Sequence, residues 1–315
     1  MAKNGASRRV TVDVDNITFG VEIECVLPDY FITGKNIQIG PYHHGLALPA
    51  PFPAGWVAMR DGSVRTEKVG YTPVEIVSPI LKGKDGLQAI LRVFEVLTAA
   101  NVEVNDTCGF HVHIGVESVL GEKAMDDGIV VRWVRRMLNL VSNHELGLLA
   151  ITGRISRMGN QYCQSVMQKW NGKLTTHSPL KKITAETDTH MDRYYTLNLC
   201  NLRAGTRTVE FRVFGATTDG LQAIGYVITA MGLAHRAAAV GTAPKFCSTT
   251  TAISPVEATL ALHKLLQQWG WASGVKSAFG QRVAAAQLQA AQEFTQALIA
   301  SKQPQRSFLG ESNNG

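Results

Sequence analysis

No two cysteines in this 315-residue chain have CxxC spacing, and the five present (Cys25, Cys108, Cys163, Cys200 and Cys247) are scattered and odd in number. That excludes a disulfide framework or a cysteine-built zinc knuckle, and reads as reduced thiols in a cytoplasmic protein. Cys108 and Cys163 are expected to be buried and inert rather than nucleophilic. No apolar run is long enough to span a bilayer, and no charged-then-apolar leader opens the chain, so no membrane partner is expected. Charged residues make up only 18%. Lys and Arg are dispersed apart from Arg8-Arg9, Arg135-Arg136 and Lys181-Lys182, so the net charge of +6 gives no argument for nucleic acid. The chain also lacks a GxxxxGK[ST] loop, a kinase signature and a dinucleotide-binding fingerprint. Any phosphate recognition must therefore come from metal ions and dispersed Arg or Lys side chains.

Three apolar stretches carry polar, metal-capable residues two positions apart. They are Phe19-Gly20-Val21-Glu22-Ile23-Glu24-Cys25, Gly109-Phe110-His111-Val112-His113-Ile114-Gly115 and Val209-Glu210-Phe211-Arg212-Val213-Phe214. In a strand, residues i and i+2 share a face. Glu22 with Glu24, His111 with His113, and Glu210 with Arg212 thus point together, while Val21, Ile23, Phe110, Val112, Phe211 and Val213 point the other way. One such pair is an ordinary wet strand face. Three pairs in one chain, all with ligand chemistry, read as a converging site.

Strands are expected near 17–26, 56–60, 73–78, up to Gly115, 195–200 and 207–214. Helices are expected at 85–100, where Leu87, Ile90, Leu91, Phe94 and Leu97 form a stripe, at 126–148, 219–240 and over 256–300. Trp133, Met137, Leu140 and Leu148 read as core. A Pro/Gly-rich passage from Pro28 to Gly55 is long enough to suggest a functional loop. With no internal repeat or linker, residues 11–302 read as one catalytic domain with a helical part at about 256–301. Residues 1–10 read as a mobile lead-in and 303–315 as a disordered tail.

Glu22, Glu24, Asp61, Glu75 and Glu210, with His111, are the candidate ligand set. Five carboxylates facing one cavity repel unless cations neutralise them, and hard oxygen donors favour Mg2+ or Mn2+ over zinc. Such ions commonly complete their shells with substrate phosphates, which points to a nucleotide. Arg212 is suited to a phosphoryl group in transfer.

Six segments in order resemble the amidoligase family, carboxylate–amine ligases related to glutamate–cysteine ligase and glutamine synthetase. They are Phe19–Glu24, Asp61-Gly62-Ser63, Glu75–Ile80, Cys108–Gly115, Arg193–Leu199 and Val209–Phe214, which span about residues 17–240. The resemblance implies an α+β fold: a curved antiparallel sheet forming a partial barrel, flanked by helices, with ATP and metals inside its funnel. It implies that Glu24, Asp61 and Glu75 hold one cation, and that Glu22, His111 and Glu210 hold a second beside the ATP phosphates. Arg212 and Glu75 are the candidate catalytic residues. Arg193 and Asn198 are candidate nucleotide or substrate contacts, and His113 is either support for its neighbours or strand packing. The implied reaction joins a small-molecule or peptide carboxylate to an amine through an acyl phosphate. A metal-dependent hydrolase using the His/Glu cluster and a non-catalytic nucleotide-binding protein are the alternatives.

Overall fold

The computed structural model describes residues 15–170, 193–203, 207–239, 253–266 and 278–301. The expected lead-in and tail lie outside the described residues, as does the middle of the polar stretch between 152 and 195.

Eight strands form one sheet: β1 (Thr18–Pro28), β2 (Leu46–Ala47), β3 (Val57–Met59), β4 (Tyr71–Val77), β5 (Leu81–Lys82), β6 (Gly109–Gly115), β7 (Leu197–Asn198) and β8 (Thr208–Gly215). Their order is β2-β3-β4-β1-β6-β8-β7, with β5 pairing to β1, and every pairing is antiparallel. The sheet is open, with β2 and β7 at its edges.

Alternation along β1 explains the layering. Phe19, Val21, Ile23, Cys25 and Leu27 are all nearly inaccessible and belong to the main core. Thr18, Gly20, Glu22 and Glu24 take the other face. The same split places Val74 and Ile76 of β4, and Phe110, Val112 and Ile114 of β6, in the core.

Helices cover the apolar face. These are α1 (Asp29–Gly34), α2 (Gly83–Ala99), α3 (Val116–Leu120), α4 (Asp127–Ala150), α5 (Val166–Trp170), α6 (Gly220–Ala239), α7 (Pro255–Leu266) and α8 (Ala278–Ser301). Ile90, Phe94 and Leu97 of the predicted α2 stripe are buried, with Leu87 and Leu91 packed beside them. Trp133, Met137, Leu140 and Leu148 of α4 are core, as expected. The Trp133 indole N–H donates to the Ala234 carbonyl at 2.8 Å, joining α4 to α6. Helix α7 begins with a capping box: Ser254 N–H donates to Glu257 at 2.7 Å and Glu257 N–H to Ser254 at 3.2 Å, with Pro255 at the first helical position. None of the described helices is long and apolar enough to cross a membrane.

One departure from strict alternation lies in β8. Phe110 pairs with Phe214, whereas Val112 pairs with Phe211, so β8 holds one extra residue between these partners. This is a β-bulge. It brings Phe214 rather than Val213 opposite Phe110, and both rings meet Tyr226 of α6, at centroid distances of 4.7 and 5.7 Å. Val213 and Phe214 are both inaccessible, and both belong to the main core.

Candidate active site

Strand register assembles the polar face. Glu24 stands opposite Glu75, and Glu22 opposite His111. His113 is opposite Glu210, and Asn198 of β7 is opposite Glu210 on its other side. Four long strands therefore deliver their charged residues to one area, although those residues are up to 188 positions apart between Glu22 and Glu210.

Glu24, Glu75, His111 and Glu210 are each no more than 6% exposed. The Glu22 carboxylate meets His111 Nδ1 at 2.7 Å with one oxygen and His113 Nε2 at 2.9 Å with the other. Glu24 lies 3.7 Å from His111 Nε2 and accepts the Gly109 N–H at 2.5 Å. Glu210 accepts from Arg212 Nη1 at 2.6 Å and from the Asn198 amide at 2.5 Å.

Burial and mutual charge set the protonation of this group. Burial alone would raise Glu22, but the charge of His113 and hydrogen bonds from both imidazoles hold it well below the usual carboxylate range. Burial would likewise raise Glu210, yet Arg212 and His113 pull it down. His113 is pushed up to about 9, because Glu22 and Glu210 outweigh its desolvation. Glu75 behaves oppositely. Burial, with Glu22, Glu24 and Asp61 nearby, pushes it up to about 10, so it keeps its proton when no cation is present.

Two ligand groups emerge among the described residues. Glu22, His111 and Glu210 form one, and Glu24, Glu75 and His111 the other, each with donor atoms within 4.8 Å of one another. Mostly carboxylate oxygens with a single imidazole, these donors fit a hard divalent cation such as Mg2+ or Mn2+. Asp61 lines the same cavity, but its Oδ1 accepts from the Ser63 N–H at 2.6 Å and from the Ser63 hydroxyl at 2.5 Å. It belongs to neither group. His113 contacts Glu22 directly, in addition to any role in strand packing.

The cavity above these residues has a volume of about 570 Å3. Arg212 and Asn198 line its wall, and Arg193 stands at its rim with Tyr42 and His43, which come from the predicted Pro/Gly-rich loop. Arg193 donates to the hydroxyls of Tyr42 at 2.9 Å and Tyr194 at 3.1 Å. All nine sequence-predicted site residues lie in or beside this cavity. Eight of them line it directly, and Tyr42 and His43 were not singled out because loop sequence carries no periodicity.

Two further buried groups went unrecognised in the sequence. Arg157 is 2% exposed and donates from Nη2 to the Arg212 carbonyl at 2.5 Å, bracing the bulge from behind. Glu145 of α4 is inaccessible, and accepts from Ser165 Oγ at 2.5 Å, from Thr196 Oγ1 and from the Val166 N–H at 3.3 Å. Thr196 in turn accepts the Arg212 N–H on its carbonyl at 3.0 Å. Glu145 therefore anchors the chain segment that positions Arg212. No sequence signal marks Arg157. For Glu145 there was one: it falls four residues after Val141 and three before Leu148, on the apolar stripe of α4.

Comparison with known families agrees with the six-segment resemblance. A family model described as "putative amidoligase enzyme" matches residues 15–234, and the chain belongs to that family. No curated protein matches. Among solved structures, a bifunctional glutathione synthetase from Pasteurella multocida aligns with 94% of this chain and 52% of its own at 12% identity and a TM-score of 0.42. The chain thus spans about half the length of that protein, a likeness too distant to carry fold or activity across.

Proposed function

We propose that the chain is an ATP- and divalent-cation-dependent carboxylate–amine ligase, acting as one catalytic domain over residues 11–302. The observation that carries this reading is the pair of overlapping carboxylate–imidazole groups beside Arg212 at the base of one cavity. Family membership supports the ligase class. Glu22, His111 and Glu210 would hold one cation, and Glu24 and Glu75, with Asp61 on the cavity wall, a second. Bound there, Mg2+ or Mn2+ would supply positive charge to the phosphate oxygens of ATP.

The protein's own groups do the rest. A substrate carboxylate oxygen attacks the γ-phosphorus of ATP, the bond to the bridging oxygen breaks, and ADP leaves. An amine then attacks the acyl carbon and inorganic phosphate departs, leaving an amide or isopeptide bond. Arg212 is held by Glu210 and backed by Tyr194, whose ring centre lies 5.8 Å from the guanidinium carbon. That fixed cation is suited to the charge on the phosphoryl group during transfer, where positioning and electrostatics supply most of the catalysis. A carboxylate of the cluster accepts the amine's proton, and Glu75 is the candidate. Arg193 and Asn198 lie where they can contact nucleotide or substrate. Cys25, Cys108 and Cys163 are buried thiols, in keeping with the cytoplasmic setting read from the sequence.

The test is Mg2+-dependent ADP release across a panel of small-molecule and peptide carboxylates paired with amines. Release that needs both co-substrates, and is lost in Glu24→Gln and Arg212→Ala, is the expected result. Substrate turnover without ATP and with a preference for zinc would instead favour a hydrolase.

A further inference from the structure

A second hollow of about 240 Å3 opens beside the main cavity and shares Glu22, Val77, His113 and Asn201 with it. Its chemistry is different. Along the same sheet face, the charged row gives way at the strand ends to Thr18, Gly20, Gly115 and Thr208, so the floor there has no side chain larger than threonine. The facing wall is Ser78-Pro79-Ile80. That wall is fixed to β1 by two hydrogen bonds, Val21 N–H to Ser78 Oγ at 2.9 Å and Ser78 N–H to the Val21 carbonyl at 3.0 Å.

The two floor glycines have different causes. A Cβ on Gly115 would stand 2.3 Å from Thr18 Oγ1, so packing excludes any side chain there. A Cβ on Gly20 would meet only Ser78 Oγ at 3.5 Å and His113 Cβ at 3.9 Å, ordinary contacts, and its φ is not in the left-handed range. Neither sterics nor backbone conformation requires glycine at position 20. A glycine inside a strand where nothing crowds it is the mark of close approach by something else. Ile80, at the lip, is 77% exposed, leaving a large apolar side chain uncovered next to a largely apolar hollow.

We propose that this annex seats the planar base of the nucleoside triphosphate, with the phosphates directed toward Glu22, His111, Glu210 and Arg212. The proposal rests on the nucleotide reading given above. The cationic groups, Arg193 and Arg212, line the main cavity and suit anionic parts of the ligands. Apart from Glu22 and His113 at the junction of the two hollows, no charged residue lines the annex. A ligand with an aromatic plane at one end and a polyanion at the other matches the two chambers joined at Glu22 and His113, and Thr208 and Asn201 offer hydrogen bonds to a base edge.

Isothermal titration of the full chain with Mg–ATP and with Mg–tripolyphosphate separates base from phosphates. Wild type is expected to bind Mg–ATP at least about tenfold more tightly. Gly20→Val, whose side chain projects into the annex, and Ile80→Ser, at the exposed lip, should each erode that preference and leave tripolyphosphate affinity unchanged. Thermal melting checks that both are folded, and the surface variant keeps the test open if Gly20→Val does not fold. Equal wild-type affinity for the two ligands overturns this proposal while leaving the phosphate site standing. So do variants that bind Mg–ATP normally but raise KM for the carboxylate or the amine, because the annex would then house a substrate. Failure of wild type to bind either ligand removes both this inference and the ligase reading.

Discussion

Replacing Glu145 with glutamine should change how stability depends on pH, by an amount that follows from the surroundings of this side chain. The carboxyl is fully buried on α4, and desolvation pushes it up to about 7, despite the opposing hydrogen bonds from Ser165, Thr196 and the Val166 N–H. An ordinary value near 4.5 applies in the unfolded chain. Between those two values the folded protein holds a proton that the unfolded chain has lost. Stability must therefore fall as pH rises through the window, and level off above it. The span corresponds to about 3 kcal/mol, at about 1.4 kcal/mol per pH unit. Glutamine is nearly isosteric, keeps an acceptor for Thr196, and cannot ionise. Urea unfolding of wild type and Glu145→Gln at half-unit steps from pH 4.5 to 8 gives the difference directly, because other titrating groups cancel. The variant should gain on wild type by about 3 kcal/mol across the series, mostly below pH 7.5. Parallel curves would refute the argument, and would mean that the carboxylate is as well solvated inside as outside.

Three other outcomes are expected. Gly109→Ala would place a Cβ 2.9 Å from His111 Nε2 and 3.2 Å from Glu24 Oε2, so Mn2+ affinity by calorimetry should drop about 10–100-fold in a chain that still folds. Because Glu75 holds a proton up to about pH 10 without a cation, cation binding should release it. Mn2+ affinity should then rise by up to about tenfold per pH unit between 7 and 9; an affinity independent of pH in that range would contradict a shared, proton-holding carboxylate site. Phe214→Ala removes a ring stacked 4.7 Å from Tyr226 and should cost about 3–5 kcal/mol in denaturant unfolding. A loss under about 1 kcal/mol would show that the bulge repacks freely.

How much of this was legible in the sequence depended on periodicity. Glu22 and Glu24, and His111 and His113, could be assigned to one face from alternation alone, since apolar neighbours fixed which side was buried. Register could not be read that way. That Glu22 lies against His111 and Glu24 against Glu75 is decided by pairing between distant segments. The bulge in β8 was hidden because Val213 and Phe214 are both apolar, so either could have continued the core face. Asp61 shows the limit of a motif: it reaches the cavity wall, but a turn hydrogen bond to Ser63 occupies one of its oxygens. Arg157 was missed because a buried guanidinium in a short irregular segment has no pattern around it. Glu145 was legible in principle, since an acid on an apolar helical stripe must find donors or stay protonated.

The register of β1 has a consequence for how this architecture can vary. Each of its residues has a fixed address: the helices on one side, the cavity on the other. One residue inserted between Gly20 and Glu22 would turn both Glu22 and Glu24 into the core and leave Val21 or Ile23 facing the cavity, losing ligands and packing together. Tyr42 and His43 have no such address, because they lie outside any strand, between Gly40, which bridges to Met59, and β2. Under the proposed function, rebuilding the rim would change the substrates while leaving the ligand residues below in place, so that one reaction would serve different pairs of molecules.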